Sequence, residues 1–111
     1  MKIRYFKIVV YVDVSHADAI RTALAGAGAG HIGNYDSCSF SVRGVGRFRG
    51  LKGSHPTIGE PGKFEEVEEE RIETVCEKKA LKGVLEAVRA VHPYEEPAID
   101  VIPLWDEGMV S

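Results

Sequence analysis

The predicted fold of this chain depends on the segment Phe64-Glu-Glu-Val-Glu-Glu-Glu-Arg-Ile-Glu-Thr-Val-Cys76. Its run of glutamates has the composition of an exposed helix, and intrinsic propensity alone favours a helix there. Its few apolar residues, however, form no helical stripe, and its last residues, Thr74-Val-Cys76, prefer a strand. The conformation of this segment therefore has to be inferred from the elements on either side of it.

Upstream of this segment, the pattern first predicts a strand and a helix. Residues 4–13 alternate between two faces as a strand does, and Tyr5 and Val9 on the second face indicate that it is partly covered, for example by another subunit. Ser15 is the predicted N-cap of a helix whose apolar residues recur at helical spacing as far as Ala27. A group of glycines then ends this helix.

A second strand and a long loop come next. Cys38, Phe40 and Val42 alternate with polar residues, which predicts a strand with one buried face. The glycine-rich residues 44–62 read as a loop, and loops of that length in small domains are usually functional or mobile.

Downstream, the pattern predicts a helix and a closing strand. Residues 78–91 carry one apolar helical face, and Pro93 ends this helix near His92. Residues 98–104 are extended and apolar, and Pro103 indicates an edge or an end of the sheet. If the glutamate-rich segment is a strand, the order becomes βαββαβ, in which both helices cover one face of a four-stranded antiparallel sheet. Both helices then bury their apolar stripes, so we predict a strand and an α+β, ferredoxin-like fold.

Length and composition predict a single domain spanning residues 1–111, with a tail in residues 105–111 that has little to pack. The chain has 44% hydrophobic and 28% charged residues, and its net charge is -3. This acidic balance, with no basic stripe, argues against nucleic-acid binding. No signal peptide and no apolar run long enough for a membrane span are recognised. The two cysteines form no disulfide framework, so a reducing cytoplasm is the expected location.

The most unusual motif is His92-Pro-Tyr-Glu-Glu-Pro97, which joins the second helix to the last strand. Imidazole and carboxylate groups together suit Zn, Mn or Fe. His31 lies in the other helix-to-strand connection, and we expect the two connections to share one end of the sheet. A divalent-metal site built from His31, His92, Glu95 and Glu96 is therefore one hypothesis. The alternative is that His92 caps carbonyl groups and the prolines stiffen the connection.

A second candidate site lies in the predicted loop. Its glycine-rich backbone, together with Arg43, Arg47 and Arg49, is suited to hold a small anion through N–H groups and guanidinium forks. The segment matches neither the dinucleotide-binding glycine pattern nor a P-loop. The alternative is that these basic residues pair with the acidic run Glu65–Glu70. No nucleophile with a recognisable base partner is found, so we do not expect an enzyme.

Five segments in order give this chain a family resemblance. They are Gly30-His-Ile-Gly-Asn-Tyr with Cys38-Ser-Phe40, Gly44-Val-Gly-Arg-Phe48, Ile58-Gly-Glu-Pro-Gly62, Glu66-Val-Glu-Glu-Glu-Arg-Ile-Glu73 and His92-Pro-Tyr-Glu-Glu-Pro-Ala98. Together they resemble the YqfO-type domain. This is a CutA/PII-like module found inserted in some bacterial Nif-like dinuclear-metal-centre proteins and also as a standalone chain. The resemblance covers residues 3–104.

The resemblance implies a ferredoxin-like fold related to CutA and the PII signalling proteins, which often assemble as trimers. In the larger proteins the metal ligands belong to the flanking regions, so that metal site is not expected here. The segment Arg49-Gly-Leu-Lys-Gly-Ser-His-Pro56 departs from the family pattern of a proline and small residues.

The prediction is therefore a non-enzymatic regulatory or binding module that forms a homo-oligomer, with a trimer favoured. It takes a protein partner or a small anion. The alternative is a divalent-metal-binding protein.

Overall fold

The structure, a computed structural model, describes residues 3–105 of the chain. Its strands are β1 (Tyr5–Asp13), β2 (Phe40–Arg49), β3 (Phe64–Glu77) and β4 (Ile99–Leu104), and its helices are α1 (Ala17–Gly26) and α2 (Leu81–Val91). A single 3-10 turn precedes each helix, at Val14–His16 and Lys78–Ala80. The predicted βαββαβ order is confirmed, and of the predicted tail only Trp105 lies within the described residues.

The four strands form one sheet in the order β2-β3-β1-β4, and every neighbouring pair is antiparallel. β3 is hydrogen-bonded on both sides, because Ile72 lies opposite Val10 of β1 and opposite Ser41 of β2. Two ladders of backbone hydrogen bonds and the burial of Ile72 and Cys76 outweigh the helix propensity of the glutamates. The strand predicted for residues 64–76 is confirmed.

The core lies between the sheet and the two helices. β1 alternates as predicted, so that Ile8, Val10 and Val12 point toward the helices and are fully buried. They pack against buried side chains of both helices: Ala17, Ile20, Leu24, Val84 and Val88. The helix prediction for residues 78–91 is correct in its buried face, although Val91 at its end is 41% exposed.

The hairpin of β2 and β3 extends past the end of β1. β1 ends at Asp13, opposite Glu69, so residues 64–68 of β3 pair only with residues 45–49 of β2. We call residues 45–49 and 64–68 the arm, and residues 50–63 connect its two strands. The prediction of a loop from residue 44 was wrong, because the long β3 supplies backbone partners to β2 as far as Arg49.

The sheet face that carries no helix, which we call the helix-free face, has apolar side chains. Phe40 lies opposite Glu73 and Val42 opposite Arg71, on the face away from the core, and they are 66% and 48% exposed. The predicted burial of this side of β2 was therefore wrong for the single chain, because strand alternation turns it away from the helices. Cys38 lies before β2 and is only partly buried, so it does not point into the core either.

The start of α1 differs from the prediction. Ser15 lies in the 3-10 turn before the helix, and its hydroxyl donates to the Asp13 carboxylate instead of capping α1.

No helix in residues 3–105 has both the length and the apolar character needed to cross a bilayer.

Candidate functional site

The connection from α2 to β4 is clamped to the sheet by His92. Its Nε2 lies 2.8 Å from the Tyr11 carbonyl oxygen, and its Nδ1 lies 3.2 Å from the Tyr94 backbone nitrogen. Since the carbonyl only accepts and the backbone N–H only donates, Nε2 carries the proton and Nδ1 accepts. The imidazole is 8% exposed, and both of its nitrogens are occupied. The structural alternative for this histidine agrees with the geometry, since its lone pair is already used and is not free for a metal ion.

The second predicted metal ligand, His31, lies elsewhere in the fold. It is exposed and lines a depression with Tyr5 and Leu104, at the first residues of β1. His92 binds Tyr11, close to the last residues of β1. The prediction that the two connections share an end of the sheet was wrong. In βαββαβ topology the first helix returns the chain to the start of β1, whereas the second helix carries it to the other end.

The two glutamates of the motif are also separated from His31. Glu95 accepts a hydrogen bond from the His55 backbone N–H at 2.9 Å, which ties the α2–β4 connection to the loop between the two strands of the arm. Glu96 is exposed beside it. Within residues 3–105, no three His, Cys, Asp or Glu side chains are grouped closely enough to hold a metal ion.

The structure instead brings the motif and the arm together around a cavity of about 530 Å³. The cavity lies between the α2–β4 connection, the end of β1 and the loop that follows β2. Its walls include Tyr11, Phe48, Pro56, Ile58, Tyr94 and Ala98. Its charged lining residues are Arg47, Arg49, Glu69, Glu95 and Glu96. Two motifs that are about 45 residues apart in sequence thus form one site.

Tyr94 and Glu69 are the inner polar groups of this cavity. The Tyr94 hydroxyl donates to Glu69 Oε2 at 2.8 Å. The Glu69 side chain reaches it by crossing Gly46, where a β-carbon would lie only 1.9 Å from Glu69 Oε1. Gly46 leaves the space that this carboxylate occupies, and a side chain at that position would oblige the Glu69 carboxylate to move away from Tyr94.

The phenol of Tyr94 is held in its protonated form. Burial raises its pKa well above the usual range, and the hydrogen bond to the Glu69 carboxylate and the negative charges of Glu69 and Asp13 raise it further. A phenol that stays protonated is a donor at neutral pH, so Tyr94 contributes a hydroxyl and an aromatic wall to the cavity.

The predicted anion-binding arginines lie on the strand β2, not in a loop. Arg47 Nε donates to Glu66 Oε1 at 2.9 Å, and the Arg49 guanidinium lies 4.9 Å from the centre of the Phe64 ring. The alternative interpretation, pairing with the acidic run, is thus observed for Arg47. Arg43 lies opposite Glu70 in the β2–β3 pairing and is not among the residues that line the cavity.

Sequence reasoning did not propose Tyr11, Phe48 or Glu69 as site residues, although all three line the cavity from strands. Their local sequence pattern gives no sign of a cavity. Gly46 was the available signal, because a glycine inside a strand often marks a close approach by another group.

Comparison with known proteins gives relatives for the sequence and for the fold. No protein-family model matches the chain. It is 48% identical over 103 residues to a "GTP cyclohydrolase 1 type 2 homolog" of Halalkalibacterium halodurans, which covers 93% of this chain and 28% of the relative. The protein of the same name from Mycobacterium tuberculosis is 49% identical over 98 residues, which covers 88% of this chain and 26% of that one. The chain thus spans about a quarter of the length of these curated relatives.

Two solved structures are similar to this chain, one in sequence and fold and one in fold alone. A Bacillus cereus protein related to NIF3 superposes with a TM-score of 0.81 at 46% identity, over 93% of this chain and 26% of that one. The periplasmic divalent cation tolerance protein CutA from Archaeoglobus fulgidus superposes with a TM-score of 0.66 at 19% identity, over 92% and 85% of the two chains. The second likeness is one of fold alone. The chain is thus related to a portion of NIF3-related proteins and has a CutA-like, ferredoxin-like fold.

Proposed function

We propose that this chain is a non-enzymatic binding module that takes a small molecule in the cavity between the arm and the α2–β4 connection, and that it self-associates. The observation that carries the proposal is the convergence of two loops on one concave site with apolar walls and a few polar groups. Sites of this size and lining are typical of small-molecule binding.

The polar groups of the cavity favour binding over catalysis. The Tyr94 phenol is protonated and already donates to Glu69. The Ser54 hydroxyl donates to the Leu51 carbonyl at 2.7 Å, so its proton is engaged in the loop's own turn. The Glu69 carboxylate is too weak a base to deprotonate a phenol whose pKa is raised, and the partner of the Ser54 hydroxyl is a carbonyl oxygen, which is not a base.

The two walls of the cavity belong to different segments of the chain, and this is the basis for proposing a regulatory role. One wall is the loop after β2, and it is joined to the opposite wall by hydrogen bonds from His55 N–H to Glu95 and from the Thr57 hydroxyl to the Pro93 carbonyl oxygen. A ligand between these walls would make contact with both and stabilise one arrangement of the arm and its loop. Binding would thereby change the surface that the arm presents to a partner.

Filling the cavity is the test of this site. Ala98→Trp adds a large ring to its wall, so we expect it to abolish the thermal stabilisation caused by any ligand that binds there. The measurement is a thermal-shift screen with organic cations, organic anions, nucleotides and phosphates. Ala90→Trp, on the exposed side of α2, is the matched control and should keep the ligand response. The proposal is wrong if no compound stabilises the protein, or if Ala98→Trp responds as the parent chain does.

Exposed apolar side chains on the helix-free face are the basis for proposing self-association. Val9 on this face is 1% exposed, yet its neighbours Phe40, Val42 and Ile102 remain 66%, 48% and 43% exposed. β2 is also an edge strand of ten residues without proline, whose outer backbone groups have no strand partner in the described sheet. Apolar side chains beside a long open edge favour association with another copy. A trimer is the assembly we propose.

Placing charges on the helix-free face tests this association. Phe40→Lys combined with Val42→Lys is expected to convert the assembly to a monomer, because two ammonium groups would have to be buried in the interface. Light scattering coupled to size-exclusion chromatography measures the mass, and circular dichroism checks the fold. Val91→Lys, at an exposed apolar position on α2, is the control and should leave the mass unchanged. A parent chain that runs as a monomer at high micromolar concentration would refute the association without affecting the cavity.

A further inference from the structure

We infer that the ligand of this cavity carries a protonated amine on an apolar or aromatic body, that is, an organic ammonium compound. The inference rests on the proposed function, since it names the ligand class of the same site. Three kinds of observation support it: the carboxylates keep free acceptor sites, the guanidinium groups are engaged within the arm, and the walls are aromatic.

The carboxylates of the cavity keep acceptor capacity for a ligand. Glu69 uses Oε2 for the Tyr94 hydroxyl, and Glu95 uses Oε1 for the His55 backbone N–H. Each carboxylate accepts about four hydrogen bonds, so both retain acceptor sites. Glu96 lies beside them, and among the described residues it has no hydrogen bond or ion pair.

The positive groups of the cavity are turned to other partners. Arg47 is paired with Glu66 on the arm, and Arg49 lies over the ring of Phe64. In the antiparallel register Arg47 and Glu66 face each other, as do Arg49 and Phe64, so both contacts are made within the arm itself. The cavity is therefore left with an excess of unneutralised carboxylate, which favours a cation over the anion expected from the sequence.

A buried carboxylate behind Tyr94 strengthens the negative potential. Asp13 lies directly opposite Glu69 in the β1–β3 pairing and is only 8% exposed. Its Oδ2 is held by the Ser15 hydroxyl and by His16 Nδ1 at 2.7 Å, while its Oδ1 is shielded from solvent and accepts no hydrogen bond within residues 3–105. The negative charge of Asp13 contributes to the raised pKa of Tyr94, so it acts on the Tyr94 end of the cavity.

The walls suit the organic part of such a ligand. Tyr11, Phe48 and Tyr94 line the cavity, and aromatic faces attract ammonium groups through the ring quadrupole. Pro56 and Ile58 add apolar surface on the loop side. A bare divalent ion fits less well, because its ligands must converge on one point and no such group of three side chains exists in the described chain.

The experiment compares three probes of similar size in calorimetric titrations at pH 7 and constant ionic strength: phenethylamine, phenethyl alcohol and phenylpropionate. We expect the amine to bind more tightly than the alcohol and the carboxylate to bind least. Glu96→Gln should weaken amine binding about fivefold, as for the loss of one solvent-exposed charge pair. It should leave the affinity for the alcohol unchanged, because the alcohol has no charge to pair.

Controls separate the ligand class from the site. Glu86→Gln on the exposed side of α2 makes the same change in net charge away from the cavity and should not alter amine binding. Ala98→Trp should abolish binding of all three probes. If phenylpropionate binds best and Ala98→Trp removes it, the cavity stands and the ammonium inference is overturned. If the amine binds equally to Glu86→Gln, Glu96→Gln and Ala98→Trp, its binding is nonspecific and the inference also fails.

Discussion

Replacing Gly30 by alanine is expected to lower the free energy of unfolding by about 4 kcal/mol, a large share of the roughly 5–15 kcal/mol that stabilises a small domain. Gly30 has a φ of +83°, a conformation that costs an L-residue about 1–2 kcal/mol. A β-carbon there would lie 2.5 Å from the Cys38 carbonyl oxygen and 2.7 Å from its nitrogen. Relief of that overlap requires movement of backbone, not of a flexible side chain.

The backbone around Gly30 is held on both sides. Its N–H donates to the Val75 carbonyl at 2.7 Å, and its carbonyl accepts from the Cys38 N–H at 2.9 Å. A shift of the main chain to admit a methyl group would strain both hydrogen bonds, and the contact of the α1–β2 connection with β3 would loosen. Losses of about 1 kcal/mol for each bond add to the steric cost.

The measurement is chemical denaturation followed by far-ultraviolet circular dichroism. Gly28→Ala is the matched control, because Gly28 has a φ of +101° but a β-carbon there would meet no atom within 4 Å. It should cost only about 1–2 kcal/mol, the penalty for the conformation itself. Equal losses for the two variants would show that the close approach to Cys38 has no energetic weight.

Replacing His92 by alanine is expected to cost about 3 kcal/mol of stability and to loosen the wall of the cavity. The substitution removes the donor to the Tyr11 carbonyl and the acceptor of the Tyr94 N–H. Each buried backbone group left without a partner costs about 1–3 kcal/mol, although water can enter and recover part of that loss. The edge-to-face packing of the imidazole on the Tyr94 ring, with centroids 4.8 Å apart, is lost as well.

Two readouts distinguish this effect from a general loss of packing. Denaturation reports the stability, and hydrogen exchange at the Tyr94 and Tyr11 amides reports local opening of the α2–β4 connection. His31→Ala is the control, because His31 is exposed at the other end of the sheet and should change stability by less than about 0.5 kcal/mol. A His92→Ala protein as stable as the control would contradict the clamp. Unchanged hydrogen exchange at the two amides would do the same.

Local sequence pattern accounts for most of the secondary structure. β1 and α2 were predictable because their apolar residues recur with periods near 2.0 and 3.6 and therefore bury one face. The glutamate-rich β3 was predictable only by combining its neighbours, since a strand at that place lets both helices cover one sheet. The extent of β2 could not be predicted from its own sequence, because residues 44–49 are held in a strand by their pairing with β3 and not by their own propensity.

The candidate site was predictable only in part. His92-Pro-Tyr-Glu-Glu-Pro97 and the arginines of β2 were recognised as unusual, and both motifs border the cavity. The sequence predicted a metal site for the first motif and an anion site for the arginines, and neither role agrees with the structure. A sequence does not show that Arg47 is paired with Glu66 or that both nitrogens of His92 are used.

The sequence by itself determined the type and order of the elements, because periodicity, proline and glycine act through local geometry and burial. Tertiary structure alone decided which side chains meet. The β2–β3 register lays the Glu69 carboxylate across Gly46 to reach Tyr94, and a shift of one residue would turn Glu69 to the other face of the sheet. The direction of each crossover likewise separated His31 from His92. Contacts of this kind depend on strand direction and register, which are properties of the whole sheet and not of any one segment.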